Sequence, residues 1–217
     1  MFHQLPLQSN NNETMPWIPN PTVLSGQLVD LIPLNESHFD ELFAATSNQR
    51  IWEFYTGNWS VRKRFEEIHF GTMAQRDAGK EYPFVIVLRA TQKIIGGTRF
   101  LDIVDADQRL EIGGTWLMPE YWASAINFDC KLALLAFSFE VLGAHRVQLK
   151  TQHNNIRSRK AIEKIGGIYE GVIREHMLKD DGTFRSSAYF SILQHEWPNA
   201  KIALQEKLRL KMEAGKQ

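Results

Sequence analysis

Apolar and polar positions alternate along this chain with two periods, in an order that predicts a single mixed sheet. From Gly26 to Leu34 apolar residues recur weakly at every second position, the period of a half-buried strand. Asn35-Glu36-Ser37-His38 then reads as a helix start, with Phe39, Leu42 and Phe43 at helical spacing behind it. A second helical stretch, mixed in charge, runs from Trp59 to Ala78 and stops at Gly79. Phe84 to Leu88 and Ile94 to Val104 are strand-like, and the turn from Ala90 to Lys93 joins them as a hairpin. Arg109 to Met118 is the next strand, stopped by Pro119. Gly113-Gly114 in its middle predicts a bulge or a close approach to a ligand.

From Ile126 to Leu142 only Asp129, Lys131 and Glu140 are charged, so this helix is apolar nearly all round and must be covered on most sides. His145 to Thr151 places Val147, Leu149 and Thr151 on one face, which suits a central strand. Asn155 to Ile165 is helical and ends at Gly166-Gly167. Tyr169 to Leu178 and Arg185 to Leu193 flank Asp180-Asp181-Gly182-Thr183, an antiparallel hairpin. Glu196 to Glu213 is a terminal helix. This order is an α+β pattern with one βαβ crossover in its middle, without the repeated βα units of a doubly wound sheet. Residues 1–25, rich in Asn, Pro and Ser, are expected to form an irregular arm on which Trp17 and Ile18 can dock. Residues 26–200 form the domain, and 201–217 the C-terminal helix and tail.

Composition narrows the class. At 217 residues the chain supports one large domain with its own core, and 43% hydrophobic and 11% aromatic residues are ordinary for a globular protein. Lys+Arg and Asp+Glu balance at 25 each, so no overall field draws the chain to nucleic acid or to an anionic membrane. The lone Cys130 cannot form an internal disulfide, no signal-peptide pattern is visible, and no apolar run approaches ~18 residues. The cytoplasm is the expected compartment. The seven histidines lack metal-ligand spacing, so no metal is expected.

The most informative stretch runs from Thr115 to Gly166: strand, Pro119, a Trp-led turn, apolar helix, strand, then a second helix opened by Asn155. A turn that aims bare N–H groups from a strand end into a helix N-terminus is a pyrophosphate cradle. A parallel strand beside it leaves room for a long, thin ligand arm.

The segment Ile112 to Trp122 with its Pro-x-x-Trp, then Asn127, Lys131 and His145-Arg146-Val147, resembles the GNAT superfamily of N-acetyltransferases. So does Asn-x-x-Ser-x-x-x-Ile-x-x-x-Gly from Asn155 to Gly166, along with Glu170-Gly171-Val172, Asp181-Gly182 and Ser191-Ile192-Leu193. Within the superfamily the chain is most similar to the RimJ/RimL-type branch, over roughly residues 26–200. The resemblance implies a mostly antiparallel, mixed sheet of six to seven strands flanked by helices and splayed at a central parallel pair. It implies acetyl-CoA as co-substrate. The acceptor it implies is a primary amine, either a small molecule or a peptide or protein N-terminus. A homodimer is compatible with the exposed-looking last helix.

The resemblance also assigns roles. Leu117 and Met118 would offer backbone groups to the pantetheine amides. Trp122, Ala123, Ser124, Ala125, Ile126 and Asn127 would donate N–H groups to the pyrophosphate, and Arg157 or Arg159 would reach the adenosine 3′-phosphate. The branch favours Trp-Gly-x-Gly, whereas Ala123 and Ala125 stand here. A left-handed backbone at Ala125 would cost about 1 kcal/mol or more; a helical one makes alanine harmless.

Acetyl transfer to an amine needs the amine deprotonated, the reactants aligned and the leaving thiolate protonated. Glu111 is the base or substrate-positioning candidate, placed by strict alternation on the face of Thr115 and Leu117. Its alternative is an edge-strand carboxylate paired with Arg99 or Arg109. Ser158 shares a helix face with Ala161, Ile162 and Ile165, and either meets the coenzyme sulfur or bonds its own helix backbone. Asn155 caps that helix, hydrogen-bonds the pantetheine, or does both. Trp52 and Tyr55 belong to an aromatic cluster that is either acceptor pocket or core, and Tyr189 could face the acceptor. Cys130 is expected to pack as a small hydrophobe. With no activated nucleophile in evidence, direct attack is favoured over an acetyl-enzyme. The competing reading is a binding module that senses acyl-CoA with weak or no catalysis.

Overall fold

A computed structural model describes residues 16–215. The strands are β1 (Leu24–Ser25), β2 (Val29–Pro33), β3 (Tyr82–Leu88), β4 (Lys93–Val104), β5 (Arg109–Leu117), β6 (Arg146–Gln152), β7 (Ile168–Leu178) and β8 (Phe184–Leu193). The helices are α1 (Phe39–Ala45), α2 (Arg62–Asp77), α3 (Ile126–Ala136), α4 (Ile156–Lys164) and α5 (Trp197–Ala214). One eight-stranded sheet runs β1-β2-β3-β4-β5-β6-β8-β7, and the strand beyond the expected six to seven is the two-residue β1. Every neighbouring pair is antiparallel except β5 with β6.

Alternation along the strands divides the core in two. Phe84, Ile86, Ile95, Phe100, Ile112 and Val147 face α3, α4 and α5, where Cys130, Leu134, Ile162 and Leu204 are buried against them. Val85, Val87, Ile94 and Trp116 face α1 and α2, closing over Leu42, Phe65, Trp52 and Trp59. Helices on both faces are what a sheet of this apolarity needs to exclude water.

The expected strand from Gly26 to Leu34 is a hairpin turn followed by β2, and the cause lies on α3. The buried Asp129 carboxylate accepts the N–H groups of Gln27, Leu28 and Val29 at 2.9, 2.7 and 3.1 Å, so the chain turns at Gln27 and Leu28 and enters the ladder only at Val29. A Cβ on Gly26 would fall 2.3 Å from Asp129 Oδ2 and would displace the carboxylate that holds the turn. The helical stretch expected from Trp59 begins three residues later, because Trp59 is drawn into the α2-side core. The long helix after Ile126 is α-helical only to Ala136. It continues as one π turn, Phe137–Val141, where the buried Ser138 hydroxyl donates to Leu134 O at 2.8 Å. Ahead of β1, Trp17 Nε1 donates to Leu142 O at 3.1 Å and Ile18 is buried.

Candidate active site

The parallel pair is short. β5 and β6 are in register only at Arg109–Glu111 and Arg146–Gln148, and beyond that they part. A cleft of about 600 Å³ opens along the parting, lined by residues of β5, β6, the turn after Pro119, α3 and α4.

β5 carries the bulge expected at Gly113-Gly114. The β4 partners shift by one residue between Gly97 and Arg99, and Gly114 takes φ +57°. The extra residue reverses the alternation. Glu111 and Trp116 therefore point to the α2 side, whereas Thr115 and Leu117 point to α3, where Thr115 Oγ1 meets Thr98 Oγ1 at 2.7 Å and Lys131 Nζ at 2.6 Å. The expectation that Glu111 shares a face with Thr115 and Leu117 is corrected on this point.

Nor is Glu111 an edge-strand charge. It is 1% exposed in the middle of the sheet. Its Oε2 accepts from Lys150 Nζ at 3.0 Å and Gln148 Nε2 at 2.9 Å, both on β6. Arg99 and Arg109 pair elsewhere, with Glu81 and Asp107. Glu111 Oε1 accepts from no described group and lies toward Gly113, where an added Cβ would come within 2.8 Å of it.

On the coenzyme side, Pro119 ends β5 and the Trp122 indole folds back so that Nε1 donates to Leu117 O at 2.8 Å. The Arg157 guanidinium lies 4.0 Å from the Trp122 ring centroid and Arg50 lies 5.1 Å from it, bringing two cations to the turn. Among the described residues, the N–H groups of Ala123, Ser124, Ala125 and Asn127 donate to nothing. Two of the six expected donors are engaged: Trp122 N–H by Pro119 O at 3.1 Å, and Ile126 N–H by Ser124 Oγ at 3.2 Å. Free donors clustered at a helix N-terminus are the arrangement that takes a phosphate group. The Met118 N–H is spent on Ile95 O at 2.9 Å, while its carbonyl accepts Tyr121 N–H at 3.0 Å and keeps a second lone pair. Because Met118 bonds to β4, ladder alternation turns the Leu117 N–H toward the cleft.

Ala125 is right-handed (φ −67°, ψ −20°), so alanine is harmless there. The left-handed residue is Ala123, at φ +58°. Ala123→Gly should raise unfolding free energy by about 1 kcal/mol, the left-handed penalty being partly offset by the greater freedom of unfolded glycine. Urea denaturation of the two proteins measures it, and an unchanged or lowered midpoint would contradict strain at this residue.

Asn155 caps α4, with Oδ1 accepting Ser158 N–H at 3.0 Å, while its amide NH2 donates to no described residue and faces the cleft. Ser158 lines the cleft as well. Its hydroxyl bonds to nothing described, so it is not spent on its own helix backbone. Arg159 leaves the cleft for Tyr169, whose ring centroid is 5.2 Å away, so of the two arginines only Arg157 lines it.

The aromatic candidates separate. Tyr55 lines the cleft and donates its hydroxyl to Thr115 O at 2.9 Å, and burial pushes its phenol pKa up. Trp52 is core instead: it is buried, with Nε1 donating to Thr46 O at 3.0 Å, and it packs on Trp59 and Trp116. Tyr189 stands opposite Lys150 on β8, its hydroxyl 3.2 Å from His176 Nε2, and is not among the residues that line the cleft.

Three cleft residues were given no role by the sequence reading. Lys131 is fully buried, and desolvation lowers its ammonium pKa to about 8. Its signal was a lone cation on an apolar helix. Lys150 falls out of phase with Val147, Leu149 and Thr151, and Arg185 opens β8; neither position declares a partner in sequence. Among the described residues, no group of three or more His, Cys, Asp or Glu is placed to hold a metal ion.

Residues 29–168 match the family described as Acetyltransferase (GNAT) domain. The uncharacterized N-acetyltransferase YoaA of Bacillus subtilis (strain 168) is 23% identical over 177 residues, covering 80% of this chain and 98% of that protein. A GCN5-related N-acetyltransferase from Brucella melitensis superposes with a TM-score of 0.79 at 29% identity, over 88% of this chain and 86% of that one. The fold is also that of Mycobacterium smegmatis RimJ, solved in complex with CoA-disulfide, with a TM-score of 0.74 at 22% identity over 89% and 97% of the two chains.

Proposed function

The chain belongs to the GNAT acetyltransferase family, and from that premise we propose that it moves an acetyl group from acetyl-CoA to a primary amine by direct attack. The acceptor is a small molecule or a peptide or protein N-terminus. One observation carries the reading: a single cleft joins free N–H groups at the start of α3, the unspent hydroxyl of Ser158 and the buried carboxylate of Glu111.

In this reading the pyrophosphate lies on the N–H groups of Ala123, Ser124, Ala125 and Asn127, with Arg157 close by. The pantetheine follows the parted edge of β5, within reach of the Leu117 N–H and the Asn155 amide. Glu111 Oε1, directly or through water, takes a proton from the acceptor ammonium. The freed amine attacks the thioester carbonyl, the C–S bond breaks, and the proton lost by the attacking nitrogen passes through the Ser158 hydroxyl to the departing thiolate, leaving the serine neutral. No acetyl-enzyme is required. Cys130 is buried inside α3, its thiol pKa pushed up to about 11 by desolvation, and it does not line the cleft.

Thiol release from acetyl-CoA against a panel of amines tests the activity. Ser158→Ala should lower kcat ~10- to 100-fold while the KM for acetyl-CoA moves only slightly. A mutant that loses coenzyme binding at an intact kcat would remove Ser158 from thiolate protonation. The reading as an acyl-CoA sensor draws on the strained Ala123, and binding without thiol release for any amine would favour it.

A further inference from the structure

We propose that the acceptor is an amine carrying an anionic group, a carboxylate or a phosphate, and that Arg185 is the residue that receives it. This rests on the acetyl-transfer reading and names the class of amine.

Strand register places the groups. Lys150 stands opposite Tyr189 and Gln152 opposite Ser187, so Arg185, two residues further along β8, shares their face. Glu111 and Arg99 are on that face too, the side of α2, across the sheet from α3 and α4. Arg99, Glu111, Lys150 and Arg185 all line the cleft, together with Phe54 and Tyr55. The coenzyme thus enters from one face of the sheet and meets this cluster on the other.

The charges in the cluster do not balance. Glu111 is the one carboxylate among the cleft-lining residues, and Lys150 holds it at 3.0 Å. Arg99 is held by Glu81, 3.1 Å away and outside the lining. Among the described residues, Arg185 has no carboxylate within 4.0 Å. Its guanidinium donates to a neutral acceptor, Phe54 O at 3.0 Å, with Ser187 Oγ at a marginal 3.5 Å. Its Nε is fully occluded and bonds to nothing, as is that of Arg99. A half-buried guanidinium without a counter-charge in contact is costly, and a bidentate anion is the partner its fork fits.

The surplus cation also orients the acceptor. An ammonium is drawn to Glu111 Oε1, the oxygen left free, while an anionic group a few bonds away faces Arg185. That is the charge pattern of a zwitterion. A polyamine would place a second cation against Arg99, Lys150 and Arg185, and is disfavoured by like charge.

Matched pairs of acceptors at saturating acetyl-CoA test this: α-amino acids against their amides, a peptide beginning with Asp against its Asn counterpart, and phosphoethanolamine against ethanolamine, with spermidine as a cationic arm. The wild-type protein should show kcat/KM at least ~10-fold higher for the anionic member of one or more pairs, the size of a charge-assisted hydrogen bond. The pair with the largest ratio identifies carboxylate or phosphate. Arg185→Gln, which removes the charge and keeps an amide donor, should shrink that ratio toward one, mainly through KM. Neutral amines or spermidine turned over as well as the anionic members would overturn the inference and leave acetyl transfer standing. A ratio that survives Arg185→Gln would equally overturn the assignment to Arg185. If acetyl-CoA binds and no amine releases thiol, the acetyl-transfer reading fails and this one with it. Should Arg185→Gln fail to fold, Arg185→Met takes its place, and a ratio that survives it would overturn the assignment in the same way.

Discussion

Glu111→Gln should reduce kcat/KM for the preferred amine by ~10²- to 10⁴-fold, the usual contribution of a general base, and should alter the pH dependence of turnover. The substitution keeps the shape of the side chain and its acceptor for Gln148, but removes the charge and the proton-accepting oxygen. It also leaves Lys150 without its partner, so part of any loss could come from a disturbed sheet. The double variant Glu111→Gln/Lys150→Met separates the two effects, because it removes the pair together. Activity that stays low in a double variant of near wild-type stability locates the loss in the chemistry. Glu111→Gln with unchanged turnover and pH profile would take Glu111 out of proton transfer altogether.

Asp129→Ala should cost about 3 to 5 kcal/mol of folding free energy, one of the larger losses a single side chain in this domain can cause. The carboxylate is 1% exposed and accepts three main-chain N–H groups from the turn before β2. Truncation strands those donors. Gln27 is exposed and regains water, whereas Val29 is fully buried, which is why the sum of three separate charge-assisted bonds overstates the loss. Asp129→Asn keeps one accepting oxygen and should fall between the two. Urea unfolding followed by tryptophan fluorescence measures all three proteins. A loss below ~1 kcal/mol for the alanine variant would mean that the turn finds other partners.

Most of the fold was legible because period and punctuation agree. The strands from Phe84 to Thr151 announce themselves by alternation between turn residues, and Asn155 with Gly166-Gly167 brackets α4 at its cap and stop. What failed to show was set by contacts distant in sequence. Gly113-Gly114 signalled a bulge, but strict two-residue counting through it put Glu111 on the wrong face. The turn at Gln27 to Val29 is dictated by a carboxylate about 100 residues away. Trp52 and Tyr55 are indistinguishable by type, and only packing sends one into the core and the other to the cleft. Of the two alanines that stand in place of glycine, only Ala123 takes a positive φ, which residue type alone does not reveal. Lys150 and Arg185 had no local signal, because a cleft between parted strands draws its charges from both sides of the sheet.

Titration of the protein with acetyl-CoA in a calorimeter tests the central claim most directly. Saturable heat at one site per chain is predicted, together with a rise in unfolding temperature. At a ligand concentration 100 times Kd the stabilisation should be about 2.7 kcal/mol. No heat and no thermal shift at millimolar acetyl-CoA would contradict the account.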